Sequence, residues 1–99
     1  MKSRSHREAM GEIFKEDVPF AAYYLSEILN DGNSFDLLIA LGQMIEGAGG
    51  QAVVAEKMGV TPNKLREILS LPESMSLKNL LRILTALNMR LVVQALEEK

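Results

Sequence analysis

Cysteine is absent from the 99 residues and histidine occurs once, as His6. Without thiolates there is neither a disulfide framework nor a Cys-based metal site, and one imidazole cannot build a zinc centre of the usual kind. No cofactor and no metal are therefore expected. Long hydrophobic runs are lacking too, and Met1-Lys2-Ser3-Arg4-Ser5-His6-Arg7-Glu8 is followed by no apolar stretch. Neither a signal peptide nor a membrane-spanning helix is expected, so the expected location is cytoplasmic. No histidine falls in the part expected to fold, and no glycine-rich phosphate loop follows a strand. Gly47-Ala48-Gly49-Gly50 is too short and wrongly placed for that role, and no spacing selects a pair of glutamates. An enzyme is not expected. What is present is ordinary globular material, 47% apolar and 24% charged, in a length that allows one compact domain plus a tail and excludes large multi-domain enzyme folds.

The net charge of −2 hides a division along the chain. Residues 1–48 carry four basic groups (Lys2, Arg4, Arg7, Lys15) against eight acidic ones. Residues 49–90 reverse this, with Lys57, Lys64, Arg66, Lys78, Arg82 and Arg90 against Glu56, Glu67 and Glu73. Such asymmetry suits a basic face for phosphates in the middle and an acidic face for a different partner at the front. On charge alone, a solvated helix face remains the simpler account of the acidic half.

Apolar residues recur at three- and four-residue spacing, which predicts successive amphipathic helices without internal repeats. Residues 1–16 form an N-terminal arm in which 8–16 could add a short helix through Met10, Ile13 and Phe14. Residues 17–99 form the single domain. Its first helix starts at Asp17, a cap, with Pro19 in the first turn, presents Phe20, Tyr24, Leu25, Ile28 and Leu29, and stops at Asn30-Asp31-Gly32. A second begins after Asn33 or Ser34, is expected to bury Phe35, Leu38, Ile39, Gly42 and Ile45, and ends in the glycine-rich break at 47–50.

Residues 51–70 carry the most informative pattern. Gln51 to Met58 places Val54, Ala55 and Met58 on one side, Gly59-Val60-Thr61 makes a short turn, and Pro62 to Ser70 presents Leu65, Ile68 and Leu69. Gly59 supplies the positive φ that ends one helix, Val60 plugs the angle between the two, Thr61 with Pro62 starts the next, and small Ala55 suits a close crossing. Helix, tight turn and polar second helix is the helix-turn-helix arrangement whose second helix enters the DNA major groove. A helical hairpin that merely packs is the alternative. Beyond it, Leu71 to Met75 form a loop. Ser76 caps a further helix with Leu77, Leu80, Leu81, Ile83, Leu84 and Leu87, expected to be the most buried of the set. After Asn88, residues 89–96 are expected to form a strand because of their β-branched centre. That strand would pair with a second copy, with the N-terminal arm, or with an edge of another protein.

The run from Gln51 to Leu65 resembles the helix-turn-helix of the Cro/C1-type (XRE) family. More widely, Pro19 to Leu25, Leu29 to Gly32, Ala40-Leu41, Gly49-Gly50, Leu65 to Ser70, Leu80 to Leu87 and Arg90-Leu91 resemble the addiction-module antidote proteins, the HigA-like antitoxins. The resemblance covers about residues 17–93. Glu73-Ser74-Met75 stands where that family has a Gly-Asn-Pro-like turn, and Arg66 replaces a common aromatic residue. The resemblance implies an all-α, five-helix, lambda-repressor-like domain with a short C-terminal strand. It further implies a homodimer that binds a double-stranded DNA operator, represses its own operon and neutralises a RelE/HigB-like toxin. Gln51 would bond a phosphate, and Thr61, Asn63, Lys64 and Glu67 would face the groove. Their chemistry agrees: Asn pairs bidentately with adenine, Glu accepts from cytosine, Lys donates to guanine or phosphate, and the threonine methyl meets thymine. Arg66, one residue aside, suits a phosphate clamp.

Two other functions stay open at this level: a stand-alone XRE-type repressor, and a helical protein-interaction module with a vestigial motif. Tyr23 and Tyr24 cannot both face the core, so one is expected to be exposed. Met44 and Met58 are expected in the core, and His6 in solvent.

Overall fold

A computed structural model describes residues 5–97. Its elements are α1 (His6–Glu16), α2 (Val18–Asp31), α3 (Ser34–Gly47), α4 (Gln51–Met58), α5 (Pro62–Ile68), a single 3-10 turn (Pro72–Ser74) and α6 (Leu77–Ala86). The five expected helices are thus six, because residues 6–16 form a full helix. That helix is capped by Ser5, whose hydroxyl accepts from the Glu8 amide. Asp17, Asn33, Thr61 and Ser76 cap α2, α3, α5 and α6, each accepting an amide three residues on. Short polar side chains at these positions satisfy donors that the helix itself leaves free.

The expected strand at 89–96 is absent, and residues 91–97 are irregular and exposed. β-Branched residues favour extended backbone, but a strand exists only where a second one accepts its ladder, and the described residues contain none.

One apolar core runs through the molecule, from Phe14 on α1 through Leu25, Leu41, Ile45, Val54 and Leu65 to Ile83 and Leu84. Its axis is α3, whose residues 40–45 are all buried, so α3 rather than α6 is the most buried helix. On α6, Leu80, Ile83 and Leu84 are buried, whereas Leu77 and Leu81 are exposed. Met44 and Met58 lie in the core, and Tyr23 is exposed while Tyr24 is half-buried. Phe35 and Ile39, expected in the core, are 67% and 57% exposed. They share a helical face with Gly42, where the Arg7 side chain of α1 lies closest. Among the described residues nothing covers the preceding turn.

α1 lies along α3 at backbone contact. A Cβ on Gly11 would stand 2.7 Å from the Gln43 carbonyl oxygen, and a Cβ on Gly47 would overlap the Gly11 carbonyl oxygen. Only glycine at both positions allows that approach. Phe14, Phe20 and Tyr24 then close the α1–α2 corner with ring centroids 5.2–6.0 Å apart. The close crossing buries Gln43, whose Oε1 has no hydrogen-bond partner among the described residues.

Candidate nucleic-acid interface

The segment α4–turn–α5 is organised by its apolar residues. Val54, Ala55 and Met58 from α4 and Leu65 and Ile68 from α5 are buried in the common core. Gly59 stands just past α4 at φ 75°. Its amide donates to the Glu56 carbonyl, and the Val60 amide reaches back to the Ala55 carbonyl at 3.0 Å. This pair of bonds closes the helix and turns the chain sharply, and the half-buried Val60 packs against the core beside it. Thr61 and Pro62 then open α5, the threonine hydroxyl accepting from the Lys64 amide at 3.0 Å.

Because Leu65 and Ile68 point inward, the remaining side chains of α5 point out. Asn63, Lys64, Arg66 and Glu67 are all exposed, as is Thr61 at the cap, while Gln51 is half-buried in the first turn of α4. The four on α5 form two intrahelical pairs. Arg66 Nη1 donates to Asn63 Oδ1 at 3.3 Å, and Lys64 Nζ lies 3.9 Å from Glu67 Oε1. In solvent such contacts hold weakly and yield to a better partner. Asn63 retains its amide donors, but its acceptor is engaged by Arg66. A bidentate contact with adenine uses both, and the second lone pair of Oδ1 remains for it. The Thr61 hydroxyl oxygen is committed to the cap, leaving its methyl group and its proton outward. Gly50, at φ 99°, gives the first amides of α4 no side-chain acceptor.

Three cations that the motif reading passes over lie near it. Lys57, at the end of α4, and Lys78 and Arg82, one turn apart on α6, line an open groove of about 900 Å³ together with the exposed Leu77 and Leu81, with no carboxylate among its residues. The spacing of Lys78 and Arg82 was visible as a helical repeat. Their closeness to Lys57 depends on the packing of α6 against α4.

Among the described residues no group of three or more histidines, cysteines or carboxylates could hold a metal ion. No single helix there is long and apolar enough to cross a membrane.

The model of a family described as probable addiction module antidote protein matches residues 9–95. No curated protein and no solved structure matches the chain.

Proposed function

From the premise that the chain belongs to the family of probable addiction module antidote proteins, we propose that it is an antitoxin with two working surfaces, one for DNA and one for its toxin. The DNA surface is α5. Two copies related by a two-fold axis set their α5 helices in successive major grooves about 34 Å apart, and occupancy of that operator represses the operon. The observation that carries this reading is the turn at Gly59–Thr61, which buries Leu65 and Ile68 and leaves Asn63, Lys64, Arg66 and Glu67 exposed together. Asn63 and Glu67 suit base edges, Lys64 suits guanine or phosphate, Thr61 offers its methyl, and Arg66 and Gln51 suit phosphates. Lys57, Lys78 and Arg82 extend the positive surface.

The toxin surface is α1–α3. Residues 5–48 hold two basic groups, Arg7 and Lys15, against eight acidic ones, and they expose Tyr23, Phe35 and Ile39. Apolar anchors within an acidic surround fit a basic protein, such as a RelE/HigB-like toxin.

Selection from a random duplex pool at physiological salt tests the DNA half. Enrichment of a two-fold motif with half-sites about 10 base pairs apart is expected. Asn63→Ala should then cost about 1–3 kcal/mol at one base pair, and Arg66→Ala should lower the salt slope by about 1. Absence of any enriched motif refutes sequence-specific repression and leaves the toxin surface as the working one.

A further inference from the structure

The groove shared by the end of α4 and the outer side of α6 joins two features that stand apart elsewhere on the surface. Leu77, Leu81 and Thr85 follow one another at four-residue spacing and form a stripe along α6, and Lys78 and Arg82 form a second stripe beside it. Lys57 lines the same groove from α4. Leu77 is 63% and Leu81 41% exposed. None of the three cations has an ion pair or a side-chain hydrogen bond among the described residues. Single exposed leucines are ordinary. Two of them one turn apart, beside three unpaired cations, leave both apolar surface and charge without a partner. No other helix of the described chain supplies one, because α1, α2, α3 and α5 contribute no residue to the groove. Residues 90–96 do not supply one either, since they line a different groove against α2.

We propose that this groove docks an acidic amphipathic helix of a partner protein, with the apolar stripe of that helix on Leu77 and Leu81 and its carboxylates on Lys57, Lys78 and Arg82. Three features select that occupant. It has to be apolar and anionic at once. A sugar–phosphate backbone would meet the cations but leave the two leucines in water, and the groove takes no residue from α5, the helix read as facing DNA. Its backbone also has to be self-sufficient. The walls are helices whose peptide groups are already bonded within them, so an extended segment finds no ladder there, whereas a helix brings its own hydrogen bonds. Lastly, the register fits. Apolar residues one turn apart on the incoming helix match Leu77 and Leu81, and carboxylates one turn apart match Lys78 and Arg82. The charge of the groove is wrong for the basic toxin read onto α1–α3, so the partner is a different protein. The inference goes beyond the operator and toxin readings and depends on neither.

The test titrates the isotope-labelled full chain with three probes at physiological salt. The first is a helical peptide of about four turns with a leucine stripe flanked by glutamates. The second is the same peptide with lysine for each glutamate, and the third is a random-sequence DNA duplex. The glutamate peptide is expected to shift the resonances of Lys57, Leu77, Lys78, Leu81 and Arg82, and the lysine peptide to bind at least about tenfold more weakly. Lys78→Glu with Arg82→Glu, and separately Leu77→Ser with Leu81→Ser, should each weaken the glutamate peptide about tenfold. Circular dichroism should stay unchanged in both, because all four side chains are exposed. Absence of these shifts at about 1 mM glutamate peptide, or equal binding of the lysine peptide, overturns the proposal. So does undiminished binding by the Leu77→Ser, Leu81→Ser pair, which would reduce the contact to charge alone. A duplex that shifts the same five residues more tightly than the glutamate peptide would assign the groove to nucleic acid and overturns it. Self-association of the parent that the Leu77→Ser, Leu81→Ser pair abolishes would give the groove to a second copy and overturns it as well.

Discussion

The front of the molecule, α1–α3, and the rear, α4–α6, share one core yet are assembled by different means. The front contains all five aromatic residues and a glycine-to-glycine helix crossing in which backbone meets backbone. The rear has no aromatic residue, the last in the chain being Phe35. It relies on aliphatic side chains, hydroxyl caps on α5 and α6, and the Gly59 turn. Charge divides along the same line, acidic in front and basic behind. The difference shows how a small domain can carry two surfaces of opposite sign. The shared core makes the halves one folding unit, while the charged residues, all outside that core, are free to differ.

Four substitutions break or sharpen this contrast. The largest effect is expected from Leu65→Ala, which empties a fully buried site joining α5 to the core and should cost about 2–5 kcal/mol in denaturant unfolding. Gly47→Ala attacks the front instead, where the added methyl meets the Gly11 carbonyl. A loss of about 1–3 kcal/mol is expected, with faster amide exchange in α1 and little change in α4–α6. Equal exchange across both halves would show that the crossing is not what holds α1. Thr61→Ala removes the cap of α5 and should cost about 1 kcal/mol, while Thr61→Ser should recover most of it. The smallest effect has the opposite sign. Gln43→Met replaces a buried amide whose oxygen lacks a partner, and should raise the unfolding midpoint by the equivalent of about 1 kcal/mol. A destabilised Gln43→Met would mean that the amide is satisfied in solution.

Much of the rear half was legible in the chain. Thr61-Pro62, Gly59 and Ser76 act through their own backbone and the next three residues, so their roles follow from residue type and position. The exposed set Asn63, Lys64, Arg66 and Glu67 follows from the burial of Leu65 and Ile68 at helical spacing. The front was less legible. Gly11 and Gly47 lie 36 positions apart, and nothing local marks two glycines as a contact. Phe35 and Ile39 have the spacing of core residues. Whether a face is covered depends on how far the neighbouring helix extends, and the Arg7 side chain of α1 lies over Gly42 while Phe35 and Ile39 stay exposed.

By itself the sequence determined the helix starts and stops, the tight turn, the segregation of charge and the inability to form disulfides, because each depends on residue type and near neighbours. Only the tertiary structure decided that α3 is the central helix, that Lys57 joins Lys78 and Arg82, that Asn63 shares its acceptor with Arg66, and that residues 91–97 remain unpaired. These depend on distances between segments remote in the chain, which residue type and near neighbours do not encode.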